Sequence, residues 1–303
     1  MNARYHVLYR GPLSSCNYGC TYCPFAKRDE TYAQLEGDRE SLSRFLGWIE
    51  RQTSRRFGVL FTPWGEALVR TWYQEALERL SWMPHVDKAA IQTNLSCRLN
   101  WLDRCQADRI ALWSTFHPTE TTLAKFCRRV EQVAAKGVRI SVGCVGLKEN
   151  VTLIEELRAT LPAEIYVWVN AYKRQIDYYD AMDIARLQAV DPHFHLNNVR
   201  HASLGQGCHA GETSFTVDGN GDLRRCHFVD RVIGNIADPT WEEALQVRAC
   251  PNQSCGCHIG YVHMKRLDLY PLYGDGLLER IPAVSPGELR TIPLPARKAS
   301  CRD

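Results

Sequence analysis

The sequence predicts an α/β protein: a partial (β/α)6 TIM-like barrel followed by a small cysteine-rich C-terminal domain. Three observations carry this. Six short runs are apolar throughout rather than alternating, which suits parallel strands covered on both faces. Stretches with helical spacing separate them. The chain's 13 cysteines gather mainly in two groups, one directly behind the first apolar run and one beyond residue 200.

The elements follow in order. "YHVLY" (5–9) reads as the first strand. "SLSRFLGWIERQ" (41–52) puts Leu42, Phe45, Leu46 and Ile49 on one helical face. "FGVLF" (57–61) is a buried strand and "WYQEALERLSWM" (72–83) a helix. "KAAIQT" (88–93), "RIALWST" (109–115), "VRISVGCVG" (138–146) and "EIYVWVN" (164–170) are the remaining strands, with helical stretches over 98–106, 119–136 and 151–160. Six units fit a partial barrel better than a closed eight-unit one. A doubly wound open sheet is the competing arrangement, but no G-x-G-x-x-G follows the first strand. In barrels, chemistry gathers on the loops after the strand C-termini. The loop after the first strand holds Cys16, Cys20 and Cys23.

Near residue 198 the pattern changes. "SFTVDGNGDLRRC" (214–226) reads as a hairpin turning at "DGNGD". "GNIADPTWEEALQVR" (234–248) holds a short helix, and "CPNQSCGCHIGYVH" follows. The expected organisation is a barrel over 1–197, a cysteine-rich domain over 198–270 and an extended tail over 271–303. The tail is read from Pro271, Pro282, Pro286, Pro293 and Pro295.

Composition narrows the function. Of 303 residues 45% are apolar, enough for a substantial core, and the net charge of +3 is small. That charge argues for neither a nucleic-acid partner nor a membrane surface. No run approaches the roughly 18–20 apolar residues of a membrane span. "MNARYHVLYRGPLSS" has no apolar stretch of secretory type, so a cytoplasmic protein is expected. In a reducing compartment clustered thiols are metal ligands rather than disulfides. Cys97, Cys105, Cys127, Cys144 and Cys301 are scattered and are expected to pack as small hydrophobes.

Cys16, Cys20 and Cys23 have C-x3-C-x2-C spacing. Thiolates bind iron–sulfur clusters, zinc and soft metals. A cubane has four iron corners, so three thiolates leave one open for a substrate or cofactor. A zinc site borrowing a histidine is the alternative. "CNYGCTYC" resembles the C-x3-C-x-(aromatic)-C signature of the radical S-adenosylmethionine enzymes, with Tyr22 in the aromatic position. "FTPWGE" resembles that family's Gly-Gly-Glu motif, with Trp64 in place of the first glycine. "IQTN", "WSTFHP" and "ISVGCVG" stand where family members contact the cofactor.

The resemblance implies a [4Fe–4S] cluster on Cys16, Cys20 and Cys23, with S-adenosylmethionine at the open iron. An external reductant such as flavodoxin or ferredoxin would supply an electron. Cleavage would then give a 5′-deoxyadenosyl radical that takes hydrogen from a substrate. Gly65 and Glu66 would hold the methionine amino end, and Asn94, Ser114 and Ser141 its carboxylate or ribose.

In the second group, Cys208 and Cys226 bracket the hairpin, and Cys250, Cys255 and Cys257 follow. This resembles the twitch and SPASM extensions, which implies a second, auxiliary [4Fe–4S] cluster. Cys208 and Cys226 would be ligands, with two of Cys250, Cys255 and Cys257; which two stays open. Zinc with His227 or His258 is the alternative. At the barrel mouth, His117, Lys173 and Arg174 are candidate catalytic or substrate-binding residues. Lys173 and Arg174 suit a carboxylate or phosphate. The expected function is hydrogen abstraction from a small molecule. A peptide-modifying enzyme is the alternative, and a non-catalytic iron–sulfur carrier or scaffold a third reading. A carrier, however, wants its iron fully protein-ligated.

Overall fold

The computed structural model describes residues 3–283 apart from 24, 26 and 27. Strands β1 (Arg4–Arg10), β2 (Arg56–Phe61), β3 (Val86–Thr93), β4 (Ile110–Thr115), β5 (Arg139–Gly146) and β6 (Val167–Ala171) correspond to the six apolar runs. They lie side by side in chain order, each parallel to the next. An order without reversal is that of a singly wound barrel wall, not of a doubly wound sheet. The sheet stays open, with β6 as one edge.

Helices α1 (Tyr32–Arg51), α2 (Thr71–Trp82), α3 (Leu123–Ala134) and α4 (Val151–Thr160) follow β1, β2, β4 and β5. α1 starts nine residues before the stretch 41–52 read as a helix. Its start is fixed by a capping box in which the Thr31 hydroxyl accepts from the Gln34 N–H at 3.3 Å. The first turn is exposed, so it carries no hydrophobic period to read. Between β3 and β4 the spacing predicts a helix over 98–106, but the chain makes two tight turns, Asn100–Arg104 and Ala107–Arg109. Its buried residues Trp101 and Leu102 are adjacent, so one turn covers both. Helix α5 (Ala181–Val190) is an element the sequence reading lacks; Asp180 caps it by accepting from the Met182 and Asp183 N–H groups at 2.9 Å.

The hairpin is present and joins the barrel wall itself. Strand β7 (His201–Ala202) precedes it. β8 (Ser214–Asp218) pairs in parallel with the free edge of β1. β9 (Asp222–Arg224) and β10 (Val232–Asn235) follow antiparallel, giving a nine-stranded sheet. β11 (Ser254–Cys255) pairs only with β7.

Two apolar layers hold this together. Outside, Leu42, Phe45 and Ile49 of α1 pack on Val7, Val59 and Phe61. Inside, Leu8, Leu60, Ala90, Trp113 and Trp168 surround Leu278. That last contact corrects the expected tail. Residues 271–283 are packed rather than extended: Leu272, Tyr273, Leu277 and Leu278 are buried, and these apolar residues outweigh the prolines. Gly58 makes room for the segment, since a Cβ there would lie 2.9 Å from Leu278. The Ser141 hydroxyl donates to the Glu279 carbonyl at 2.6 Å, and the Glu279 carboxylate lies 3.0 Å from Arg139. Arg280 stacks 4.7 Å over Trp168 and faces Asp191 at 3.7 Å. Pro286, Pro293, Pro295 and Cys301 lie outside the described residues. Cys97, Cys127 and Cys144 are core residues, as expected.

His263 offers a test of this packing. It is 4% exposed, with Nδ1 2.8 Å from the Tyr270 hydroxyl and Nε2 3.3 Å from Ser214 Oγ. Burial pushes its pKa down to about 3. A histidine lowered by folding stabilises above its unfolded value of about 6.5, and that contribution is lost as pH falls toward the folded value. His263→Phe is therefore expected to melt below wild type at pH 8, with the gap narrowing as pH falls from 6.5 toward 4. A gap independent of pH would show that His263 is not held neutral.

Candidate functional site

β1 ends at Arg10 and α1 begins at Tyr32, and the loop between them carries the first three cysteines. The Glu30 carboxylate fastens it, accepting from the Ser14 N–H at 2.8 Å and the Ser15 N–H at 3.2 Å. Gly65 presses on the same place: a Cβ there would lie 1.8 Å from the Ser15 carbonyl oxygen. The Glu66 N–H donates to that oxygen at 3.1 Å. Arg70 adds a hydrogen bond to the Ser15 hydroxyl at 3.1 Å. The residue before Cys16 is thus clamped from several sides. Glu30 and Arg70 are residues that sequence reasoning missed. An acid 14 positions after the first cysteine forms no motif, so no sequence signal marks it.

Cys16, Cys20 and Cys23 line one cavity of about 190 Å³ with Gly65, Glu66, Asn94 and His117. Burial raises the thiol pKa of Cys16 and of Cys20. Asn94 donates to Asn17 at 3.0 Å and sits 3.9 Å from Cys16 Sγ. Glu66 is fully buried, and burial lifts its pKa to about 7. Its carboxylate accepts from Leu68 N–H at 3.1 Å, the Thr93 hydroxyl at 2.8 Å and Asn94 N–H at 2.5 Å. Its oxygens are therefore engaged by the protein, joining the end of β2 to the end of β3. Next to it, Leu95 is buried with φ +59°, a left-handed conformation that costs a non-glycine residue about 1–3 kcal/mol. Hydrogen bonds from Leu95 N–H to Thr93 and from Arg129 to the Leu95 carbonyl hold it there, at 2.9 and 2.5 Å.

His117 belongs to this first cavity. Its Nδ1 lies 2.8 Å from the Tyr22 hydroxyl and 3.3 Å from Cys20 Sγ. Burial drops its pKa to about 4, so it is neutral at pH 7. Tyr22 is packed against it, with ring centroids 6.0 Å apart. Trp64 also lines this cavity, under the Arg10 guanidinium at 4.2 Å and against His227 at 5.6 Å. Arg10 also contacts the His227 ring.

The second group shares a larger cavity of about 430 Å³. Cys208, Cys226, Cys250, Cys255 and Cys257 line it, together with Lys173, Arg200 and Arg225. Lys173 donates to Asn197 Oδ1 at 3.2 Å, and burial lowers its pKa to about 8. Three expected site residues lie elsewhere. Arg174 is exposed and lines neither cysteine cavity. Ser114 and Ser141 are fully buried in the barrel wall. The Ser114 hydroxyl donates to the Ser141 carbonyl at 2.8 Å, and Ser141 takes the Trp168 N–H at 3.1 Å besides donating to Glu279. Their hydroxyls are engaged within the protein, and neither residue lines either cysteine cavity. Among the described residues, no three His, Cys, Asp or Glu side chains converge on a single metal-ion position.

The clamp can be tested on the metal-free protein. Gly65→Ala is expected to cost about 1–3 kcal/mol, the range for overpacking, read from urea unfolding. Wild-type stability in this variant would show that the two loops do not meet as described.

No family model matches this chain, and no curated protein does. Solved structures do. One is anSMEcpe with bound AdoMet, at TM-score 0.56 and 14% identity over 81% of either chain. Another is SuiB of Streptococcus suis, at TM-score 0.54 and 15% identity over 81% of this chain and 66% of that one. A third is anSMEcpe with bound AdoMet and the Cp18Cys peptide, at TM-score 0.53 and 15% identity over 80% of either chain. These proteins are radical S-adenosylmethionine enzymes, and this chain has their fold.

Proposed function

We propose that the chain is a radical S-adenosylmethionine enzyme with a second, auxiliary iron–sulfur cluster. The observation that carries this is the first cavity: Cys16, Cys20 and Cys23 share one wall with Gly65 and Asn94. The residues fit a three-thiolate [4Fe–4S] cluster. They bring three thiols and no fourth, on a loop held by Glu30, Gly65 and Arg70. With S-adenosylmethionine at the open corner, the cluster would supply hydrogen-atom abstraction by reductive cleavage of the sulfonium.

The chain's own groups prepare the place. Asn94, fixed by Glu66, faces the cysteine loop and offers its amide to the cofactor. The buried Glu66 acts as a positioning residue, because its carboxylate is engaged by three protein donors. Neutral His117 packs beside Cys20 and Tyr22 without adding charge. Arg10 and Trp64 stack at 4.2 Å beside the first cavity.

The substrate would sit between the two cysteine groups. The cavity of about 430 Å³ is where the auxiliary cluster would sit, and the basic Lys173, Arg200 and Arg225 on its wall support a small anionic molecule beside it over a peptide. Lys173, more than half protonated at pH 7 with its pKa near 8, would take a carboxylate or phosphate of that molecule. A flavodoxin or ferredoxin is the proposed source of electrons. Among the described residues no helix is long and apolar enough to cross a membrane.

After anaerobic reconstitution, two cubanes imply roughly eight irons per chain. Dithionite-reduced protein is expected to convert S-adenosylmethionine to 5′-deoxyadenosine and methionine. Changing Cys16, Cys20 and Cys23 together to Ala should halve the iron and abolish that reaction. Protein with its full iron that yields no 5′-deoxyadenosine would instead be an iron–sulfur carrier or scaffold.

A further inference from the structure

Five cysteines line the second cavity, and a cubane takes four thiolates. The fold treats the five differently. Cys208 is buried and bridges Met264. Cys250 is tied to the turn just before Cys208: its N–H donates to the Gln206 carbonyl at 3.0 Å, and its carbonyl accepts from the Gly205 N–H at 2.9 Å. Cys226 closes a turn in which the Phe228 N–H points at its sulfur from 3.5 Å. Cys255 lies in β11, and its sulfur rests in a hollow left by Gly260. A Cβ on Gly260 would come within 2.7 Å of that sulfur and 2.9 Å of the Phe228 ring. One turn therefore gathers Cys208 with Cys250, and one aromatic ring gathers Cys226 with Cys255.

Cys257 is placed otherwise. It is exposed. Its backbone carbonyl receives the Gly260 and Tyr261 N–H groups at 2.9 Å, so it opens the short helix His258–Tyr261 and turns off the line of β11. It lines the second cavity together with Lys173, just beyond β6.

We propose that Cys208, Cys226, Cys250 and Cys255 complete the auxiliary cluster, and that Cys257 is left out of it as a free thiol on the cavity wall beside Lys173. This rests on the two-cluster reading above and settles which residues of the chain serve it.

The test is five single Cys→Ser variants of the reconstituted full chain, compared for iron content and for the electron paramagnetic resonance of the reduced clusters. Iodoacetamide labelling of the wild-type holoprotein, read by peptide mass spectrometry, accompanies them. Cys257→Ser is expected to keep the wild-type iron and both cluster signals, while each of the other four loses about half the iron. Gly260→Val should lose the same half, because its side chain displaces the Cys255 sulfur. In the wild-type holoprotein, Cys257 should be alkylated and the other four protected. Wild-type iron near eight, with Cys257 protected or Cys257→Ser losing a cluster, would overturn the assignment alone. Wild-type iron near four, unchanged in all five variants, would overturn the two-cluster reading itself.

Discussion

β1 is paired along both of its edges, in parallel on each side, and the rest of the structure depends on that position. Parallel neighbours require covering layers on both faces. α1 and its companions cover the outer face, and the residues around Leu278 cover the inner one. Because β2 runs alongside β1, the loops leaving both strands emerge together. The loop with Ser15 and the loop with Gly65 can then touch backbone to backbone. Because β8 takes the other edge, the hairpin between Cys208 and Cys226 is anchored to the strand that carries the first cysteine loop. The spacing of the two cysteine groups is therefore set by main-chain pairing rather than by a flexible joint.

Rigidity at the first cavity is bought by local strain and desolvation. A glycine is required where two backbones meet, Leu95 is held in a left-handed conformation, and Glu66 is buried among three donors. Such features persist only where surrounding contacts over-determine them, and they concentrate at functional sites. The same logic explains Trp64. A side chain at that position must turn away from the crowded loop contact. It leaves toward Arg10 and His227 and lines the first cavity.

Legibility in the sequence followed the physics of each signal. The six strands were readable because parallel strands are apolar on both faces, and α4 was readable because Ile154 and Leu157 form a stripe. The start of α1 and all of α5 were obscured because caps, not hydrophobic period, define them. Cys16, Cys20 and Cys23 stood out because a single loop carries them. Glu30 did not, since its role arises only when the loop folds back on itself. Ser114 and Ser141 could not be placed from sequence, because a hydroxyl near a strand end reads alike whether it faces a cavity or the barrel wall. The packed segment at 277–280 was hidden by the prolines around it, although Leu277 and Leu278 were there to be read.

That segment has a consequence for how the chain folds. Leu278 fills the space against Gly58 and His6, so the interior of the barrel is completed by residues that follow every strand. Contacts of such separation form slowly, because a long loop must close before they are rewarded. During synthesis the first strands emerge well before the segment that seals them. Until it arrives, the apolar inner face around Leu8, Leu60 and Trp113 stays open, the kind of surface that draws chaperones or aggregation. The cysteine loop can be assembled early, but the wall behind it is closed last.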